Sequence, residues 1–82
     1  MATDAIKLHI IYLEDDTSAR IVLSKWHYDN WRQIQDVYVA YKASLGPWTP
    51  EEVIDFFQSE YHKDHQEVIT RFVASPDETM HL

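Results

Sequence analysis

The run Leu45-Gly46-Pro47-Trp48-Thr49-Pro50-Glu51-Glu52-Val53 constrains this chain more than any other stretch, because it can end one element and open the next. Gly46 is the single glycine, placed where a helix C-terminus favours a residue free to adopt positive φ. Pro47 forbids helical continuation. Thr49 can cap a following helix, Pro50 suits its first position, and Glu52 completes a capping box three residues after Thr49. Trp48 and Val53 stand where a hydrophobic staple would clamp the entry. The punctuation predicts two helices folded against each other and names no chemistry.

Upstream of it, Ile6 to Leu13 alternates as a strand, with Ile6, Leu8, Ile10 and Tyr12 on one face and Lys7, His9, Ile11 and Leu13 on the other. Glu14 to Thr17 is a polar turn and Ala19 to Leu23 a second strand, together a β-hairpin. Ser24 to Asn30 connects, with Asp29 or Asn30 as the cap of a helix from Trp31 to Leu45. On that helix Trp31, Ile34, Val37, Tyr38, Tyr41 and Leu45 share an arc of roughly 120°, with Arg32 and Asp36 paired on the far side. The second helix runs from Pro50 to about His62, turning Val53, Ile54, Phe56, Phe57 and Tyr61 inward. Glu67 to Ala74, rich in β-branched residues, reads as a third strand. Residues 76–82 read as a loose polar tail.

The expected architecture is therefore α+β, in the order β-β-α-α-β: a three-stranded sheet, made of the hairpin and a C-terminal strand, with both helices on one face. The whole chain, 1–82, is one domain with an ordered core of about 5–75. At 82 residues it buries roughly 60% of its unfolded surface, which leaves a thin stability margin. The other sheet face carries Ile11, Leu13, Val22 and either Ile69 with Val73 or Val68 with Phe72. A half-solvated antiparallel sheet alternates more cleanly, so either a partner covers this face or the strand registers differ; the first is favoured, with Ile11, Leu13 and Val22 as a homodimer interface.

Fourteen acidic against seven basic residues give a net charge of −7. The basic residues are scattered singly, which disfavours direct contact with nucleic-acid phosphates or an anionic membrane. A basic protein surface is the natural complement. The absence of cysteine removes disulfide staples and thiolate chemistry and favours a reducing, cytoplasmic setting. Met1 to Ala5 shows no basic leader, and the apolar run after it is broken by Lys7 and His9, unlike a signal peptide or membrane span.

Catalytic parts are not apparent. No serine sits in a nucleophile elbow, one glycine excludes a phosphate-cradling loop, and the adjacent carboxylates suit turns and helix starts. The chain reads as a non-enzyme without a cofactor. His62, Asp64 and His65 have a weak metal-ligand look but lack a distant third ligand. The better candidate is the acidic second helix, whose Glu51, Glu52 and Asp55 face solvent with no lysine or arginine between Thr49 and His62. Trp26, flanked by His27 and Tyr28, is the aromatic most suited to a partner. These features describe a small acidic binding module, an inhibitor or adaptor of the kind phages and mobile elements carry. The alternatives are a histidine-carboxylate metal-binding regulator and a subunit docking through the outer sheet face.

Overall fold

Seven elements follow one another in a computed structural model that describes residues 6–82: β1 (Leu8–Glu14), β2 (Ala19–Ser24), α1 (Trp31–Val37), β3 (Tyr41–Trp48), α2 (Pro50–Tyr61), α3 (Gln66–Ala74) and β4 (Thr79–His81). The reading of Met1 to Ala5 lies outside the described residues. The strands form one antiparallel sheet in the order β3-β1-β2-β4. The fold is α+β, with three helices and four strands among the described residues rather than the expected two and three. No helix among the described residues is long and apolar enough to cross a membrane.

The hairpin forms as its alternation predicts. Its loop is closed by Asp15, whose Oδ1 accepts from the Thr17 and Ser18 backbone N–H groups at 2.9 Å each. Those bonds hold the Asp15 carboxyl below the usual carboxylate range.

The expected long helix from Trp31 to Leu45 is instead a short helix and a strand. Asn30 caps α1 through its Oδ1, which accepts from Arg32 N at 2.9 Å and Gln33 N at 3.3 Å. The helix stops after Val37, and Tyr38 is already extended at φ −113°. Val37, Tyr38, Val39 and Tyr41 are β-branched or aromatic, types that favour strands, and β1 offers them an edge. Pairing Tyr41 with Leu13 and Leu45 with Ile10 satisfies a ladder that a helix would leave open.

Gly46 has the positive φ expected of it, +118°, but within β3 and not at a helix end. It joins Pro47 through a cis peptide bond where β3 bulges, Leu8 pairing with Trp48 and Ile10 with Leu45. A Cβ at Gly46 would stand 2.6 Å from the Leu8 carbonyl oxygen. β3 is a sheet edge, where a proline is tolerated.

The next helix agrees with its sequence signature. Thr49 Oγ1 accepts from Glu52 N at 3.2 Å, and Glu52 Oε1 accepts from Thr49 N at 2.9 Å. Its C-terminus is held by His62 in the left-handed conformation, φ 53°. The expected strand over Glu67 to Ala74 is the helix α3. Ile69 and Phe72 are buried and Val73 partly so, a helical spacing that β-propensity concealed. Glu67 and Arg71 pair along its outer side. The expected loose tail contains β4, which pairs Leu23 with Met80 and Val22 with His81.

Both sheet faces are covered by the chain's own helices. On one, Leu8, Ile10 and Leu23 pack with Val53 and Phe57 of α2 and Ile69 and Phe72 of α3. On the other, Ile11, Leu13 and Val22 pack with Tyr28 and with Ile34 of α1. Ile11, Leu13 and Val22 are 0%, 4% and 1% exposed within a single chain, so they offer no homodimer interface. The face is covered, but by the chain's own Tyr28 and α1 and not by the partner that its apolar content suggested. The helix α1 crosses to that face instead of joining α2.

A Cβ at position 46 meets backbone, which cannot rotate away, in addition to the cost of its φ. Gly46→Ala should destabilise by about 2 kcal/mol or more, read as a lowered urea midpoint. An unchanged midpoint would show that β3 does not approach Leu8 so closely.

Candidate functional site

Antiparallel pairing gathers the start of β1, the ends of β2 and β3, the start of β4 and the N-terminus of α2 at one end of the sheet. The two surface features singled out from the sequence, the acidic helix start and Trp26, both belong to this pole. Pro47, two residues ahead of the α2 cap, lines the same cleft as Trp26, Lys7 and His9.

Glu51, Glu52 and Asp55 of α2 are all exposed, but they are not equivalent. Glu52 is committed to the cap, and its bonds to Thr49 hold its carboxyl below the usual carboxylate range. Glu51 and Asp55 make no hydrogen bond or ion pair among the described residues. They are free negative charges on a helix that also carries Glu60, likewise exposed and unpaired among the described residues, and that has no lysine or arginine.

Trp26 is 54% exposed and rises from backbone held at several points. Its N–H donates to Ser24 Oγ at 3.1 Å, and that buried hydroxyl is 3.3 Å from the Tyr28 hydroxyl. Lys25 N donates to the Glu78 carbonyl at 2.8 Å, extending the β2–β4 ladder. Lys25 Nζ donates to the carbonyls of Phe72 and Ser75 at 2.8 Å each and lies 4.4 Å from the centre of the Phe72 ring. The lysine thereby closes the C-terminus of α3. Ser24 and Tyr28 turn in, while Trp26 and His27 turn out.

Three clefts share Trp26. One of about 440 Å³ lies between it and Pro76, Asp77 and Glu78, with Lys25 and His27 at its sides. A second of about 580 Å³ runs past Ile6, Lys7, His9 and Pro47. A third of about 320 Å³ reaches Tyr28, Val37, Tyr38, Glu78 and Thr79. Asp77 and Glu78 were missed from sequence because residues 76–82 read as a tail. The signal was present in Thr79-Met80-His81, one apolar residue between two polar ones, the period of a strand. At the opposite end a cleft of about 340 Å³ is lined by Tyr12, Arg20, Lys42 and Tyr61 among others, with the two phenols 3.3 Å apart.

The histidine cluster disperses. His62 forms the left-handed end of α2, Asp64 Oδ1 accepts from Gln66 N at 3.0 Å to start α3, and the His65 ring stands nearly perpendicular to that of Phe57 with centroids 5.2 Å apart. Among the described residues no group of three or more histidines and carboxylates is arranged to hold a metal. Comparison with family models, with curated proteins and with solved structures found no match.

His9 is a titratable group that the sequence left uncommitted. It is buried, 6% exposed, with its ring nearly perpendicular to that of Tyr28 at a centroid distance of 5.1 Å. Burial, and secondarily the nearby His27, pushes its pKa below the ordinary 6.5. The unfolded chain therefore takes up a proton at this site before the folded chain does. Its contribution to stability is complete above about pH 6.5 and is lost as pH falls below that value. Urea midpoints near pH 7.5 and pH 5 should fall further for the wild type than for His9→Gln. Equal falls would show that His9 is not held neutral by the fold.

Proposed function

We propose that this chain is a small, acidic, non-catalytic protein-binding module, an inhibitor or adaptor that occupies a basic surface of a partner protein. The observation that carries the reading is the pair Glu51 and Asp55, exposed and unpaired among the described residues on a helix without a basic residue. Trp26 supports it from the same pole, as a large exposed aromatic of the type that anchors interfaces. The net charge of −7 extends the same preference to long range, where it steers a basic partner toward encounter. The lack of cysteine supports a reducing, cytoplasmic setting.

Affinity capture from the native host identifies the partner, and binding kinetics with that partner then test the reading. Glu51→Lys with Asp55→Lys should slow association by about tenfold, with dissociation changing less. Added salt should weaken the wild type in the same direction, since exposed charges are screened over about 8 Å at physiological ionic strength. Glu52→Gln is the informative control, because glutamine keeps the capping box while removing a charge. A partner whose binding ignores both salt and the reversals would contradict the reading.

A further inference from the structure

The register beyond β4 puts opposite kinds of group beside one another at the pole. Ser24 pairs with Thr79, and Lys25 N bonds the Glu78 carbonyl, which brings Trp26 and Asp77 to the walls of one cleft. Trp26 and Glu78 both line the 440 Å³ and 320 Å³ clefts, and Asp77 and Pro76 complete the larger one. The result is an exposed indole on a fixed backbone, in clefts whose walls also include the exposed residues Asp77 and Glu78. Neither carboxylate has a hydrogen-bond or ion-pair partner among the described residues.

The cations already nearby do not fill this arrangement. Lys25 commits its ammonium to the Phe72 and Ser75 carbonyls and the Phe72 ring. His27 directs Nε2 toward Asp29 at 3.3 Å. The cleft thus combines an exposed indole with unpaired negative charge and has room for a side chain and its flanking backbone.

We infer that this cleft takes an arginine side chain offered by the basic partner, a subsite that rests on the proposed function and specifies its chemistry. A planar, weakly hydrated guanidinium can lie over the indole while its N–H fork donates to the Asp77 and Glu78 carboxylates. An ammonium satisfies the charge but not the plane. An aliphatic side chain leaves both carboxylates desolvated without compensation. The fixed backbone of Ser24 to Tyr28 lowers the ordering cost of binding, which is what makes a single exposed aromatic effective.

The test uses the full chain labelled with ¹⁵N and a hexapeptide alternating arginine and glycine, with matched lysine and citrulline peptides. The arginine peptide should shift the Trp26 indole N–H and the Asp77 and Glu78 amides saturably. Lysine should bind more weakly, and citrulline should shift nothing. Asp77→Asn with Glu78→Gln should weaken the arginine peptide roughly fivefold or more, as should Trp26→Leu. Retained dispersion of the other amides shows that each variant folds, and the isosteric carboxylate pair serves should Trp26→Leu fail to do so. Equal response to lysine, shifts confined to α2, or no saturable shift would overturn the arginine subsite. Shifts confined to α2 would leave the proposed function standing. Failure of that function is read separately, from the partner's indifference to salt and to the Glu51 and Asp55 reversals.

Discussion

A central strand that is apolar on both faces must be covered twice, and β1 imposes that requirement on everything around it. Leu8 and Ile10 point to one side, Ile11 and Leu13 to the other, and all four are buried. Each fully buried side chain of this kind is worth about 1.5–3 kcal/mol relative to exposure, so an uncovered face would cost more than a small domain's margin allows. The backbone of β1 also needs partners on both edges. β2 supplies one and β3 the other, and β3 reaches full length only because Gly46 admits the Leu8 carbonyl beside it.

Once α2 and α3 take one face and α1 the other, little sheet surface remains for recognition. What remains are the ends, where loops and helix termini converge on a fixed scaffold. The pole carrying the α2 N-terminus is built from both short-range and long-range ties. The Thr49–Glu52 cap is local, whereas the Lys25 bonds to Phe72 and Ser75 join β2 to the end of α3. That lysine lets a cation act structurally inside an acidic molecule and leaves the surrounding carboxylates free.

Legibility from sequence followed the range of the interactions. The hairpin, the Asn30 cap and the start of α2 were readable because a few adjacent residues determine them. The overrun of the first helix came from Val37 to Leu45, where apolar residues satisfy helical and strand periods alike and only the edge of β1 decides. Glu67 to Ala74 erred in the other direction, with β-branched residues outvoted by the Ile69, Phe72 and Val73 spacing against Phe57. At the candidate site, Glu51, Asp55 and Trp26 were visible through charge and neighbours. Asp77 and Glu78 were not, since their place depends on pairing with a strand more than fifty residues earlier.

The second sheet face is covered by α1 from within the same chain. The most direct measurement is an isotope-filtered nuclear Overhauser experiment on a mixture of labelled and unlabelled chains at high concentration. The structure requires contacts between the methyls of Ile11 or Val22 and Ile34 in uniformly labelled protein, and none between labelled and unlabelled copies at Ile11, Leu13 or Val22. Intermolecular contacts at those methyls, with Ile34 no longer touching them, would contradict it. The recognition surface would then be the sheet face and not the pole.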